Sequence, residues 1–493
     1  MKFISTRGKV KVDTASEAIV KGLANDGGLF VPEIFPNLKN NLTEMLEYSY
    51  PEIATKVIGS FLEEYDKEEL LEVCKKTYSK FDDNEPAPLV KLDDGLFVME
   101  LFHGPTLAFK DVALTLLPYL LRKGADINGV KEKFLILTAT SGDTGKAALE
   151  GFKDKDGISI MVFYPSEGVS DMQKLQMQTQ EGDNVCVLGV KGNFDDCQTA
   201  VKTIFNSKEI ETELKQKGVL LSSANSMSFG RLVPQVVYYF SSYIDLVNEG
   251  AIQLGDKVDY VVPTGNFGDI LAGYYAKRMG LPVGRLVCAS NQNNVLTEFF
   301  ANGTYDSNRE FFKTVSPSMD ILISSNLERL IFELSGRDAD ITSKRMAELK
   351  TSGKYSLTDV EIKLAKAEFT GGYADEEECL DTISQVFEEY GYVLDTHTAV
   401  AMKVADDYKT YSNTKNPLVI LSTASPFKFV QDVLKAISGK TFKDPFKCSE
   451  LLNEESALEI PSQIITLKEK QRRFTEIIEK SQTAQKVVEF ATK

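Results

Sequence analysis

The stretch Val258-Asp259-Tyr260-Val261-Val262-Pro263-Thr264-Gly265-Asn266-Phe267-Gly268-Asp269-Ile270-Leu271-Ala272-Gly273-Tyr274-Tyr275 decides the fold. Its first part is a short apolar run of the kind that forms a strand buried on both faces. Its centre is a turn with two glycines three apart, and its last part is mostly apolar and helical in character. Buried strand, glycine turn and helix form the repeating unit of a parallel α/β sheet. Ligands of such sheets sit beyond the carboxyl ends of the strands. Glycines let backbone N–H groups approach an anion, and the helix start adds its positive dipole end. Gly265, Asn266, Phe267, Gly268 and Asp269 are therefore a candidate phosphate cradle without a basic side chain. Taken alone, the same pattern also fits an ordinary strand-to-helix turn.

Working outward, the unit recurs. Phe134-Leu135-Ile136-Leu137 runs into Thr140-Ser141-Gly142-Asp143-Thr144-Gly145 and then a helical Lys146-Ala147-Ala148-Leu149. Further strands are expected at 158–163, 185–190 and 418–421, the last running into Ser422-Thr423-Ala424-Ser425-Pro426. Gly145-Lys146 resembles the end of a nucleotide-binding P-loop. However, Thr140 stands where its first glycine belongs and Ala147 where the Mg²⁺-binding hydroxyl belongs, so nucleotide hydrolysis is not expected. What remains is a donor-rich helix start suited to a carboxylate or phosphate, or simply N-capped by Ser141 or Asp143.

A third junction is His103-Gly104-Pro105-Thr106-Leu107-Ala108-Phe109-Lys110-Asp111, followed by the apolar 112–117. A lysine desolvated among apolar neighbours has a lowered pKa and a nucleophilic amine. The same spacing would also suit a lysine snorkelling to the surface beside Asp111.

At 493 residues the chain exceeds one ordinary core, so two or three domains are expected. The 72 acidic and 56 basic side chains give a net charge of −16, which argues against nucleic acid or an anionic membrane as partner. Any anionic substrate must then be held by a local group of donors. Residues 1–7 open without the apolar core of a signal peptide, and no apolar run reaches the roughly 20 residues of a membrane span, so a cytoplasmic enzyme is expected. The six cysteines form no Cys-x-x-Cys pair, and there are only two histidines, so no disulfide framework and no metal site is expected. His397 reads as an N-cap or core-edge residue. Residues 1–90 read as a helical domain, with helices expected over 15–23, 42–50 and 65–78. The tail 451–493 reads as charged and helical, suited to packing or a lid.

Taken together, the three junctions resemble threonine synthases, within the fold type II (tryptophan synthase β-like) pyridoxal-phosphate enzymes. The lysine segment 103–111 carries the likeness most closely. Residues 22–33, 140–145, 223–231, 265–269, 316–329 and 422–429 follow in family order over most of the chain. The resemblance implies two interleaved parallel-sheet domains behind the helical one: a large cofactor-binding domain over 91–127 and 230–450, and a small one over 128–229. It implies that Lys110 carries pyridoxal 5'-phosphate, that residues 265–269 hold the cofactor phosphate, and that Thr423 faces the pyridine nitrogen. The implied substrate is O-phosphohomoserine, and the implied reaction releases phosphate and adds water to give threonine. Candidate substrate contacts are Ser141, Asp143, Thr144, Asn225, Ser226 and Arg231, with His103 and Thr106 flanking the lysine. Lys146 either helps or lies on a helix surface. Two positions depart from the family pattern: Ser425 stands where histidine is usual, and Lys146 where a small residue is common. The chain is expected to act as a monomer or homodimer. A related serine or threonine dehydratase is the alternative.

Overall fold

The computed structural model describes residues 1–82, 85–166 and 169–491. Two sheets dominate it. The larger orders Phe369–Tyr373, Val283–Ser290, Val258–Pro263, Leu418–Ser422, Leu96–Glu100 and Leu89–Asp93, all neighbours parallel except the last pair. The smaller orders Ile477–Ile478, Val185–Val190, Ile158–Pro165, Lys133–Ala139 and Val219–Ser222, all parallel. Helices cover the sheets, which is why every residue of Val258–Pro263 and of Leu418–Ser422 is buried. The one charge in the former, Asp259, is satisfied by Tyr408 Oη, Thr414 Oγ1, Asn416 Nδ2 and the Arg285 N–H at 2.6–2.9 Å. Four donors satisfy the hydrogen-bonding capacity that burial would otherwise leave unmet.

The helix Phe229–Asn248 is buried over almost its whole length and joins the two sheets. Among the described residues no helix is long and apolar enough to cross a membrane.

The N-terminal segment differs from the expected all-helical domain. Phe3–Ser5 pairs antiparallel with both Lys11–Val12 and Phe30–Pro32. Strands of two or three residues are too short for a period of two to be legible. The helix expected over 42–50 is also split. Leu42–Met45 ends early, and Ser49 with Glu52 forms a capping box that starts Tyr50–Phe61. The tail departs from a purely helical reading as well. Ile477–Ile478 forms the edge of the small sheet, with the helix Thr483–Ala491 following.

Candidate active site

The carboxyl ends of both sheets open into one cleft of about 1410 Å³, lined by Lys110, Ser141, Asp143, Thr144, Asn225, Ser226, Arg231, residues 265–269 and Thr423. Most of the side chains singled out from the sequence thus meet in one place.

The glycine turn is built as the sequence implied. Phe267 has φ +62°, a left-handed conformation costing about 1–2 kcal/mol for a non-glycine residue. Its buried ring packs against Phe300 and Phe369 at 6.0 and 5.6 Å, which offsets that cost. A Cβ at Gly265 would come within 2.9 Å of Ser318 O. Gly268 is different, because a Cβ there would meet no atom closer than 3.5 Å. Packing within the chain does not require glycine at 268, yet a side chain would fill the cradle. Asn326 pins the turn by donating from its N–H and Nδ2 to Asn266 O, both at 3.0 Å. Asp269 accepts from Tyr238 Oη at 2.5 Å and Tyr239 Oη at 3.2 Å. Its Oδ2 is buried with no protein partner among the described residues. Burial pushes this carboxyl up to about 7 against those two hydroxyls. It can therefore stay neutral beside an anion.

Lys110 opens the helix Lys110–Leu114, with its Nζ 4.6 Å from the Phe109 ring centre. Its amine is lowered from the ordinary lysine range, first by burial and then by Lys428 and Arg231, with Asp143 opposing. The Asp143 carboxylate lies 3.7 Å from Lys110 Nζ. It is claimed more closely by Lys428 Nζ at 2.7 Å, Gln173 Nε2 at 2.8 Å and Ser318 Oγ at 3.2 Å. Burial alone would raise it, but Lys428 and Lys110 hold it below the usual carboxylate range. Asp143 therefore offers an incoming carboxylate or phosphate no side-chain donor, which corrects that part of the expectation. The anion-binding capacity here is the first helical turn, whose N–H groups at 143 and 144 have no intrahelical acceptor. Neither Ser141 nor Asp143 caps this helix. Thr140 Oγ1 does so, accepting from the N–H groups of Gly142 and Gly145 at 3.0 and 2.8 Å.

Arg231 is 2% exposed and donates from one Nη to Ala224 O at 2.6 Å, while its Nε has no protein partner among the described residues. No carboxylate among the described residues forms an ion pair with it, and burial pushes it down to about 10. Gln235, one turn on along the same helix, has an unpartnered buried Oε1 and lines the same cleft. Ser226 Oγ accepts from Asn326 Nδ2 at 3.2 Å.

Three expected contacts lie elsewhere. His103 Nε2 meets Glu100 Oε2 at 2.8 Å. Thr106 turns inward, with its N–H and hydroxyl donating to Asp111 at 2.7 and 2.6 Å. Lys146 Nζ pairs with Glu150 at 3.1 Å and donates to Gln180 Oε1 at 2.5 Å. Backbone direction decided these cases, and sequence spacing does not encode it.

Sequence reasoning missed Lys428, His397, Ser318 and Gln235. Lys428 lies between Phe427 and Phe429, the same signature that drew attention to Lys110 beside Phe109. His397 is not the N-cap, since Asp395 caps that helix. The imidazole lines the cleft, accepts from the Ser318 N–H at Nε2 (3.1 Å) and faces Asp395 Oδ1 at Nδ1 (3.0 Å).

Comparison with known proteins agrees with this geometry. The threonine synthase N-terminal family matches residues 2–78, the pyridoxal-phosphate-dependent enzyme family 81–423, and the threonine synthase C-terminal family 398–488. Threonine synthase of Pseudomonas aeruginosa is 38% identical, over 94% of this chain and 96% of its own. Human threonine synthase-like 1 is 40% identical over 90% of this chain, which spans only 61% of that longer protein. The crystal structure of pyridoxal-phosphate-bound threonine synthase from Brucella melitensis superposes with a TM-score of 0.89 at 37% identity, covering 100% of both chains. With the pyridoxal-phosphate family model matching most of the chain and a threonine synthase 38% identical over nearly its whole length, the chain belongs to the threonine synthase family of fold type II pyridoxal-phosphate-dependent enzymes.

Proposed function

We propose that this chain converts O-phospho-L-homoserine and water to L-threonine and phosphate. One observation carries the reading: Arg231 is a buried guanidinium with no carboxylate partner among the described residues, close enough to Lys110 to depress its amine, in a cleft that also contains the glycine turn 265–269 suited to a second anion. A phosphorylated substrate on a phosphorylated cofactor needs two such places. A serine or threonine dehydratase needs only one phosphate site, so Arg231 favours the first reading over that alternative.

The residues present fit pyridoxal phosphate. Gly268 leaves open the volume a phosphate would take, the helix Gly268–Arg278 points its N-terminus there, and Lys110 supplies a buried amine. When bound, the cofactor withdraws electrons from the bonds at the substrate Cα. Residues 265–269 would hold its phosphate, and Thr423 would offer a hydroxyl to the ring nitrogen.

Lys110 then serves as the proton carrier. Its amine, lowered by burial, can take the proton from Cα and return one later in the cycle. Arg231, with its planar fork of donors, suits the substrate phosphate and holds the leaving group as charge develops on it. Ser141, the N–H groups at 143 and 144, and Asn225 and Ser226 suit the carboxylate. Acting on a small substrate, the enzyme would work in the cytoplasm as a monomer or homodimer.

The test is phosphate release from O-phosphohomoserine with threonine quantified alongside. Equal amounts from wild type, and background only from Lys110→Ala, are expected. Arg231→Met should raise KM for the phosphorylated substrate by about tenfold or more, from the loss of a charge-assisted contact. Deamination of serine or threonine without phosphate release would overturn the substrate assignment.

A further inference from the structure

The buried cluster around Asp143 holds two lysines for one carboxylate, and only Lys110 has a part in the chemistry above. Lys428 is fully buried. Its Nζ lies 2.7 Å from Asp143 Oδ1 and donates to Thr106 O at 2.8 Å. Asp143 Oδ2 faces Lys110 Nζ at 3.7 Å and accepts from Ser318 Oγ at 3.2 Å. The ammonium at 428 is held by Asp143 and Thr106 O and forms no other ion pair among the described residues. A buried charge that merely filled space would be a poor choice, since desolvating it costs several kcal/mol before any return.

We infer that Lys428 is a positioning residue that acts through Asp143: by holding that carboxylate it denies Lys110 an exclusive counter-ion and leaves the Lys110 amine free to react. This rests on the reading of Lys110 as the cofactor lysine.

The sign follows from the charges facing each group. Around Lys110 lie the carboxylate of Asp143, the cations Lys428 and Arg231, and the carboxyl of Asp269. Around Asp143 lie Lys110 and Lys428, with neutral donors from Gln173 and Ser318. The Ser318 N–H is in turn bonded to His397. With Lys428 present, the attraction of Asp143 for a proton on Lys110 is opposed by Lys428 and Arg231, and burial lowers the amine. Removing the charge of Lys428 leaves Asp143 to Lys110 alone, which raises the lysine. Removing the charge of Asp143 leaves two cations facing each other, which lowers it. A merely structural residue would give no such opposition of sign.

The experiment follows recombination of the cofactor-stripped full-length chain with pyridoxal phosphate, by absorbance, across pH. The rate reports the free-amine fraction of Lys110, and the cofactor's own ionisation is common to all variants. Lys428→Met should move the midpoint up by about one pH unit or more, the scale of a nearby opposite charge. Asp143→Asn should move it down, Lys428→Arg should stay near wild type, and Lys428→Met with Asp143→Asn should return toward it. Lys428→Met and Asp143→Asn moving the same way, or Lys428→Met capturing cofactor with an unmoved midpoint, would overturn the inference. If Lys428→Met does not fold, the downward shift of Asp143→Asn with retention by Lys428→Arg decides the matter, and its absence overturns the inference. Reduction of the adduct and peptide mass spectrometry locate the cofactor. Attachment anywhere but Lys110 would sink the reading of Lys110 itself, which separates the two failures.

Discussion

Asp245 carries a carboxyl that burial, with Glu85 and Glu249 nearby, pushes up to about 7. Asp269 is pushed to about 7 and Asp111 to about 6, in both cases by burial against hydrogen bonds that oppose it. Such groups hold protons in the folded chain that the unfolded chain has already released. The stability they allow is complete below about pH 4 and is lost as pH rises towards 6–7. Asp245 lies outside the cleft, which makes it the clean case. Asp245→Asn should stabilise the protein by roughly 1–3 kcal/mol at pH 8 and by much less at pH 5. Urea unfolding at the two values checks this, and an equal effect at both would show that the carboxyl does not titrate as described. At this scale the sequence was informative about Lys110 and Arg231, whose type alone carries the chemistry. It marked Asp143 as an N-cap or substrate contact and gave no sign of its place between two lysines, which depends on where Lys428 lies.

Helices, strands and turns show what the glycines are for. Gly145, part of a P-loop-like string, packs against Thr140, where a Cβ would come within 2.4 Å of the threonine methyl. Gly151, one of the last residues of the helix Asp143–Phe152, sits against the helix that carries Lys110, and a Cβ there would stand 2.1 Å from Leu114 O. That contact sets how closely the helix bearing Asp143 approaches the one bearing Lys110. Gly151→Ala must push them apart, at about 1–3 kcal/mol or more because the obstacle is backbone. A lower thermal midpoint with a shifted pH dependence of cofactor capture is the expected result. An unchanged midpoint would mean that the helices separate freely. The strand–turn–helix units themselves were legible, because apolar runs ending in glycine are local signals. The N-terminal strands were not, being two or three residues long and held in place by partners up to about 29 residues away.

Across the whole molecule, the C-terminal tail reaches from the layer covering the larger sheet to the edge of the smaller one. It departs after the helix Pro445–Ser456. Arg473 then donates to Gln180 O and Gly182 O at 2.9 and 3.0 Å. Ile477–Ile478 lies along Val185–Val190, with Gly189 N–H to Glu476 O and Lys191 N–H to Ile478 O both at 3.0 Å. Without that strand the small sheet would present an apolar unpaired edge, a template for association. Deleting residues after Lys470 should lower the thermal midpoint by several degrees and increase light scattering at micromolar concentration. A truncated chain that stays monodisperse with an unchanged midpoint would show the edge to be protected in another way.

The sequence by itself determined the strand–turn–helix units, including the lysine-bearing helix start and the glycine turn, because each is written in consecutive residues whose backbone and side-chain preferences act locally. Only the tertiary structure decided which side chains face the cleft. It turned Thr106 and Lys146 into internal partners of Asp111 and Glu150, and it brought Lys428 and His397 to a site first marked at 103–145. These groups lie about 250 or more residues from the helix start they serve. Their meeting follows from the order in which strands enter the two sheets, a choice made by burial of the whole core.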